Sequence, residues 1–311
     1  MKTALILGIT GTFGGQVAAA LQARGYALRA LLRDPAKLPL AFTGTEVIQG
    51  DIGDRQALRR AADGVEVMVY GVNPPGYQWK GRALPWLENA ASVAEERGLT
   101  LLFPGNVYVF DPADGPDFDE AAPLQPTSSL GRTRLAMEQR LKRAAEHGAR
   151  VIIVRAGDFI APGAESAWLQ VLLHKKGDGY TLMAPGPRHL PHTWAYLPDL
   201  AQAAAGLLER SESLPAFNVF HYRGHRVSLE EIAEAARQAS GRPVKLRAFP
   251  WWALRLAAPF SVMFRGLLEM RYLWRRQVNM DGARLEAALP EVVHTPLPRA
   301  LLEAGLVQAG H

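Results

Sequence analysis

The chain has 311 residues, 48% of them apolar and 21% charged, with 35 Lys and Arg against 30 Asp and Glu. That length supports one large domain or two coupled ones around a proper core, in the composition range of soluble globular proteins. There is no cysteine, which excludes disulfides, thiolate metal sites, iron–sulfur clusters and a cysteine nucleophile.

The first half alternates short apolar runs with amphipathic stretches. Strands are predicted at Thr3–Gly8, Ala27–Leu32, Glu46–Gln49, Glu66–Gly71, Leu99–Phe103 and Val151–Val154, and helices at 13–24, 54–63, 86–97 and 128–147. Strand followed by helix, repeated with crossovers of this size, predicts an α/β fold: a doubly wound parallel sheet of the Rossmann type. Ala4-Leu5-Ile6-Leu7 and Val151-Ile152-Ile153-Val154 are apolar at every position, as strands covered on both faces should be. After residue 156 the rhythm loosens, with Gly- and Pro-rich loops at 161–163 and 184–191, a helix at 199–210 and a strand at Ala216–Phe220. Ser228-Leu229-Glu230-Glu231 is a capping box that opens a further helix, and the remainder reads as mostly helical. These patterns divide the chain into a nucleotide-binding domain, 1–155 plus about 192–222, and a smaller substrate-side domain, about 156–191 plus 223–311. Lys2 precedes an apolar run too short for a signal peptide. The most hydrophobic longer segment, 251–274, is interrupted by Arg255, Arg265, Glu269 and Arg271, so no transmembrane segment is expected. The chain reads as cytoplasmic.

Gly8-Ile9-Thr10-Gly11-Thr12-Phe13-Gly14 follows the first strand directly and opens the first helix. Such a loop supplies a tight turn, lets the backbone approach a pyrophosphate, and packs helix closely on strand. The helix N-terminus then offers free N–H groups and partial positive charge. A bare glycine turn is the competing reading. Arg33, after the second strand, stands where an acid would take the ribose hydroxyls of NAD and where an arginine suits the 2′-phosphate of NADP. NADP is therefore expected ahead of NAD, with Asp34 as an alternative ribose contact. Asp51 reads either as an adenine ligand or as a turn former, Ile52 as a surface for the ring, and Asp54 as a helix N-cap. Gly71, ending the fourth strand, with Val72 and Asn73 after it, completes the expected cofactor set.

Together these residues resemble the short-chain dehydrogenase/reductase superfamily, and within it the extended branch of NAD-dependent epimerases and dehydratases. The resemblance runs over nearly the whole chain. It includes the glycine loop, Gly50-Asp51, Asn106-Val107-Tyr108, Asp119-Glu120 with Pro123 and Pro126, Arg155-Ala156-Gly157 and Tyr196-Leu197-Pro198-Asp199-Leu200-Ala201. It implies a Tyr-x-x-x-Lys pair on the long helix and a Ser after strand five, the Tyr moving a proton and the Lys lowering its pKa. Aligned on Arg134-Leu135-Ala136-Met137-Glu138, this sequence puts Leu130 at the Tyr position and Arg134 at the Lys position, and Pro104 falls where the Ser would be. Leu and Pro move no proton, so the resemblance is to an atypical member.

Arg134 reads either as a ribose or substrate ligand, charged at any relevant pH, or as a surface arginine beside Glu138. Arg132 is a weaker candidate. The proton candidates are Tyr108, Tyr77, His192 and Tyr196. Tyr108 comes first because it follows strand five at the sheet's C-terminal edge, with Arg134 to lower its pKa; a packing aromatic is the competing reading. Asp199 reads as a helix-start residue, and His174-Lys175-Lys176 as a solvated helix end. His221 and His225 around Gly224 do not make a metal site, and no metal is expected.

Residues 241–280 carry eight cations against one acid, Glu269. Within them, 249–276 hold seven Phe, Trp and Tyr side chains. This segment reads as a helical cap with wet arginines, as a pocket wall, or, with less support, as a surface resting on an anionic membrane. No nucleic-acid partner is expected; the partner is a small-molecule substrate, and a homodimer stays open. Two functions remain: an NADP(H)-dependent oxidoreductase or epimerase/dehydratase-like enzyme, and a cofactor-binding sensor or assembly protein without chemistry.

Overall fold

The computed structural model describes residues 2–164 and 167–310. Seven parallel strands form the central sheet: β1 (Thr3–Leu7), β2 (Ala27–Leu32), β3 (Glu46–Gln49), β4 (Val67–Tyr70), β5 (Thr100–Asn106), β6 (Arg150–Ala156) and β7 (Phe217–His221). Their spatial order is β7-β6-β5-β4-β1-β2-β3. β1 therefore lies between β2 and β4, with Leu7 opposite Leu31 on one side and Tyr70 on the other. The first connections run outward to β3 and the later ones outward to β7, so the winding reverses between β1 and β4.

The all-apolar strands are covered on both faces, and the alternation of side chains divides them. Leu5, Leu7, Val151 and Ile153 join one core cluster, with α2 (Arg55–Ala61), α3 (Ala83–Arg97) and α4 (Ser129–Glu146). Ala4, Ile6, Ile152 and Val154 join the other, with α1 (Thr12–Ala23) and α5 (Leu197–Glu209). This is the period-two division expected of a buried parallel sheet.

A third cluster unites Trp168, Leu182, Trp194, Ile232, Trp251, Trp274 and Leu301, and here two sequence expectations need correction. His174, Lys175 and Lys176 do not end a helix. They lie exposed on the strand Leu173–Lys176, which pairs antiparallel with Gly179–Ala184 across a turn at Gly177. Lysines on that edge strand discourage pairing with another chain. Val244–Ala248, expected within a helical region, is a strand parallel to Gly179–Ala184; its alternating Val, Lys, Leu, Arg suits one covered face. The capping box is present, with Ser228 Oγ accepting from Glu231 N and Glu231 accepting from Ser228 N, at the start of α6 (Leu229–Ser240).

A buried polar network fixes α4 on β6 and β7. The Arg155 guanidinium donates to Glu138 at 2.6 and 3.1 Å and to His221 Nε2 at 3.2 Å, while His221 Nδ1 faces the Phe118 carbonyl at 3.1 Å. Because Arg155 can only donate, His221 accepts on Nε2 and carries its proton on Nδ1. Burial and then the Arg155 charge push its pKa down from 6.5 to about 4. The unfolded chain thus takes up the proton first. Stability is full above pH 6.5 and declines as the pH falls toward 4, by on the order of 2–3 kcal/mol. The depressed carboxylates of Glu88 and Glu231 add their losses only below 4.5. Urea unfolding between these limits should give a slope reduced by about one proton in His221→Gln, with the remainder from His225, which burial also depresses. An unchanged slope contradicts this assignment.

Candidate functional site

Three backbone segments meet at the winding reversal. An added Cβ at Gly14 would stand 2.2 Å from the Gly8 carbonyl oxygen, one at Gly8 would stand 2.8 Å from the Gly71 carbonyl carbon, and one at Gly71 would stand 2.9 Å from Gly14 Cα. The end of β1, the start of α1 and the end of β4 are thus in backbone-to-backbone contact, possible only without side chains. Gly8 also sits at φ +86°, a left-handed conformation that suits glycine. No side chain caps α1 and no acid lies in its first turn, so the N–H groups of Thr12, Phe13 and Gly14 point outward with the positive end of the helix dipole. Gly11 and Thr10 are exposed beside them, and Phe13 is buried against Phe159, ring centroids 6.4 Å apart. This cradle, free of Cβ atoms, can hold a diphosphate.

Beyond the loop lies a cavity of about 350 Å³ lined by Thr10, Leu32, Arg33, Asp34 and Lys37. Asp34 is occupied with the backbone, accepting from Ala36 N at 3.1 Å as the cap of a short turn. Arg33 is 83% exposed, with Asp51 3.8 Å away. Asp51 serves its own turn as well, one oxygen accepting from Gly53 N at 2.7 Å. Ile52 is 8% exposed and packs in the core, so a ring would meet only its edge. Lys37, not singled out in the sequence, adds a second cation; its signal was a lysine four residues after Arg33 across a Pro turn. Val72 and Asn73 follow Gly71 along the same sheet edge, half-buried and exposed respectively.

Farther along the edge lie the polar candidates. Arg134 is not a surface arginine, and Glu138 is committed to Arg155. Its guanidinium lies over the Trp79 ring at 4.6 Å and the Phe103 ring at 5.5 Å and donates to the Pro104 carbonyl at 3.3 Å. Its Nε is buried without a partner in the protein. Tyr108 is near it and half-buried, stacked on Trp79 at 6.4 Å. Arg134 does lower the Tyr108 pKa, but burial, Tyr77 and the Asp158 carboxylate act the other way, and the net result lies well above the ordinary phenol value. The expectation that Arg134 would activate Tyr108 is thereby corrected: at neutral pH this phenol keeps its proton. Tyr77 is raised to about 12 by burial and by Asp158. It sits at φ 60°, a left-handed conformation that costs a tyrosine about 1–2 kcal/mol. Gly266 makes room for it, since a Cβ there would meet the Tyr77 ring at 2.6 Å.

His192 and Asp158 form a second pair, Nε2 to Oδ2 at 2.7 Å, with the imidazole stacked on Trp274 at 4.3 Å and 12°. Asp158 was not anticipated, although it follows Arg155-Ala156-Gly157 at the C-terminal end of β6, where ligands bind in such sheets. Tyr196 is elsewhere: its hydroxyl donates to Glu303 at 2.7 Å. Asp199 accepts from Thr295 N and Oγ1 at 2.6 and 2.9 Å, an anchor for the C-terminal segment. Arg132 is exposed. Leu130, at 6% exposure, packs in the core. Among the described residues no cluster of His, Asp and Glu could hold a metal ion. Gly14→Ala should displace the α1 N-terminus, lowering stability by about 1–3 kcal/mol and abolishing binding of nicotinamide dinucleotides. Unchanged thermal unfolding and unchanged nucleotide titration would contradict the close-contact account.

Comparison with known proteins agrees with this geometry. Residues 4–221 match the model of the NAD dependent epimerase/dehydratase family. The UDP-N-acetylglucosamine 4-epimerase of Bacillus cereus superposes with a TM-score of 0.74 at 14% identity, over 98% of this chain and 95% of that one. The UDP-glucose 4-epimerase of Thermus thermophilus, in complex with NAD, gives 0.73 at 16% identity over 98% of both chains. The (4-alkanoyl-5-oxo-2,5-dihydrofuran-3-yl)methyl phosphate reductase of Streptomyces griseus is 35% identical over 114 residues, 37% of this chain and 38% of that protein. The curated relatives are matched over 38%, 61% and 52% of their lengths. No helix among the described residues is long and apolar enough to cross a membrane. With the glycine cradle at the winding reversal and residues 4–221 under the family model, the chain belongs to the NAD dependent epimerase/dehydratase family.

Proposed function

We propose that this chain is a cytoplasmic NADP(H)-dependent oxidoreductase that reduces a small carbonyl compound, or interconverts it with its alcohol, through an active site in which Tyr108 and Arg134 stand in for the family's usual tyrosine and lysine. The two parts divide the work: 1–155 with 192–222 hold the dinucleotide, and 156–191 with 223–311 supply the substrate side. Gly8, Gly11, Thr12, Phe13 and Gly14 cradle the diphosphate, and Gly71, Val72 and Asn73 run beside it. Arg33 and Lys37 favour NADP over NAD, because they place two cations at the cavity where a 2′-phosphate would lie, against the single carboxylate of Asp34, which caps its own turn through one oxygen. Asp51 and the edge of Ile52 lie on the adenine side. When bound, the nicotinamide gives or takes a hydride.

The observation that carries this reading is the placement of Arg134: a guanidinium held by two aromatic faces and one carbonyl, beside a phenol that keeps its proton. A protonated Tyr108 can donate to an oxygen that gains charge on reduction, and Arg134 adds electrostatic stabilisation in a poorly hydrated place. Asp158, whose charge raises both Tyr77 and Tyr108 and which pairs with His192 at 2.7 Å, is the group from which the proton is resupplied. The reductase named among the relatives supports the reducing direction.

A second reading, a cofactor-binding sensor, is favoured by Leu130 and Pro104, which stand where the family's Tyr and Ser are expected. The two separate on turnover. NADPH oxidation should be found within a panel of small aldehydes, ketones and enones, and Tyr108→Phe should slow it by about 100-fold with NADPH affinity unchanged. Unaltered turnover in Tyr108→Phe removes that residue from the chemistry; tight NADPH binding with no turnover across the panel establishes the sensor.

A further inference from the structure

Residues 251–276 are not a sealed cap. Trp251, Met270, Leu273 and Trp274 are buried, but Trp252, Leu256 and Phe260 are 69%, 70% and 91% exposed. Trp252 and Leu256 lie one turn apart on the helix Trp251–Ala257 and share a face. Phe260 sits in the turn before the helix Val262–Glu269, where Val262 and Met263 are exposed too. The corner is built rather than loose: Arg265 donates to the carbonyls of Ala258 and Pro259 at 3.0 and 3.1 Å. Large apolar side chains held outward on a fixed corner are the mark of an interaction surface.

The charges around the corner say what would cover it. Among the described residues, none of the eight cations between 241 and 280 forms a salt bridge; the arginine pairs lie elsewhere in the chain. Glu269, the one acid of the segment, is engaged by the backbone N–H groups of Ser129 and Leu130 at the start of α4. Beside the corner lies a pocket of about 330 Å³ lined by Arg255, Leu268, Glu269, Arg271, Tyr272 and Arg275. Burial, Arg275 and Arg255 together hold Arg271 below the usual guanidinium range, so three like charges crowd one opening. An anion there would relieve them.

We propose that this face docks on the surface of an anionic phospholipid membrane, with Trp252, Leu256 and Phe260 entering the headgroup–acyl boundary and a lipid phosphate seated among Arg255, Arg271 and Arg275. Apolar insertion and phosphate recognition are both present, and a bilayer surface satisfies both at once. A second copy of the chain fits poorly, because a two-fold contact would set the same cations against each other. Nucleic acid would use the arginines and leave the apolar corner unmatched. The helix Val262–Glu269 also packs on Tyr77 through Gly266, so the docking face adjoins the element that carries Tyr77.

The test is cosedimentation of the whole protein with vesicles of phosphatidylcholine alone and of phosphatidylcholine containing one third phosphatidylglycerol, at low and high salt. Binding should be confined to the anionic vesicles and weakened by salt. It should fall about fivefold for each of Arg255→Ala, Arg271→Ala and Arg275→Ala, and be lost in Phe260→Asp, whose thermal unfolding should match that of the parent. Absence of binding to anionic vesicles overturns the proposal, as does binding indifferent to Phe260→Asp. Inorganic phosphate bound in an arginine-dependent way without vesicle binding would reassign the pocket to a free anion. Self-association lost in Phe260→Asp, again without vesicle binding, would reassign the corner to a second copy; either result overturns the membrane assignment.

Discussion

The contact on which the rest depends is glycine backbone against glycine backbone. Gly8, Gly14 and Gly71 occupy one point where β1, α1 and β4 converge, with no room for a single Cβ among them. That contact lets the first helix begin almost on the sheet edge, so its uncapped N–H groups face the opening between β1 and β4. In a doubly wound sheet this is where the winding reverses and the crevice opens. The anion cradle, the cavity at Arg33 and the buried guanidinium of Arg134 follow along one edge because all are hung from the strands that this contact brings into register.

The second half of the site is organised by polar groups on a buried helix face. α4 puts Leu130, Met137 and Leu141 into the core, and Arg134 and Glu138 lie on that same stripe. Two charges on an apolar stripe require partners, and the structure supplies different ones. Glu138 takes Arg155, which with His221 ties α4 to β6 and β7. Arg134 takes aromatic faces and one carbonyl, leaving its Nε unpartnered near Trp79 Nε1 and the Tyr70 hydroxyl, which are likewise without protein partners. One charge thus stabilises the fold, while the other is left with hydrogen-bonding capacity beside Tyr108, as a site must be if it is to hold something else.

The strands of the main sheet were legible because burial on both faces demands continuous apolar runs, and the glycine loop because its spacing answers a steric need. The inward direction of Arg134 was also legible in principle, as a cation spaced four residues from Leu130 and three from Met137, although Glu138 four residues on left a surface ion pair as an equal alternative. The strands at 173–176 and 244–248 were missed for a different reason. Val244–Ala248 alternates apolar residues with Lys and Arg, whereas Leu173–Lys176 has one apolar residue before three exposed polar ones and resembles the polar end of a helix until the turn at Gly177 is given its due. Asp158 with His192, and Trp79 with Arg134, are contacts between distant segments; no local pattern announces them. The exposure of Phe260 is likewise a property of how a corner is packed.

The central claim is that the cradle and the cations beside it hold NADP(H), and calorimetric titration of the wild-type chain and Arg33→Ala with NADP+, NADPH, NAD+ and NADH tests it most directly. The account predicts tighter binding of the two phosphorylated nucleotides, with the preference reduced by about tenfold or more in Arg33→Ala while NAD+ and NADH are affected little. Equal affinity for phosphorylated and unphosphorylated forms would contradict the role given to Arg33, and no binding by any of the four would contradict the cradle itself.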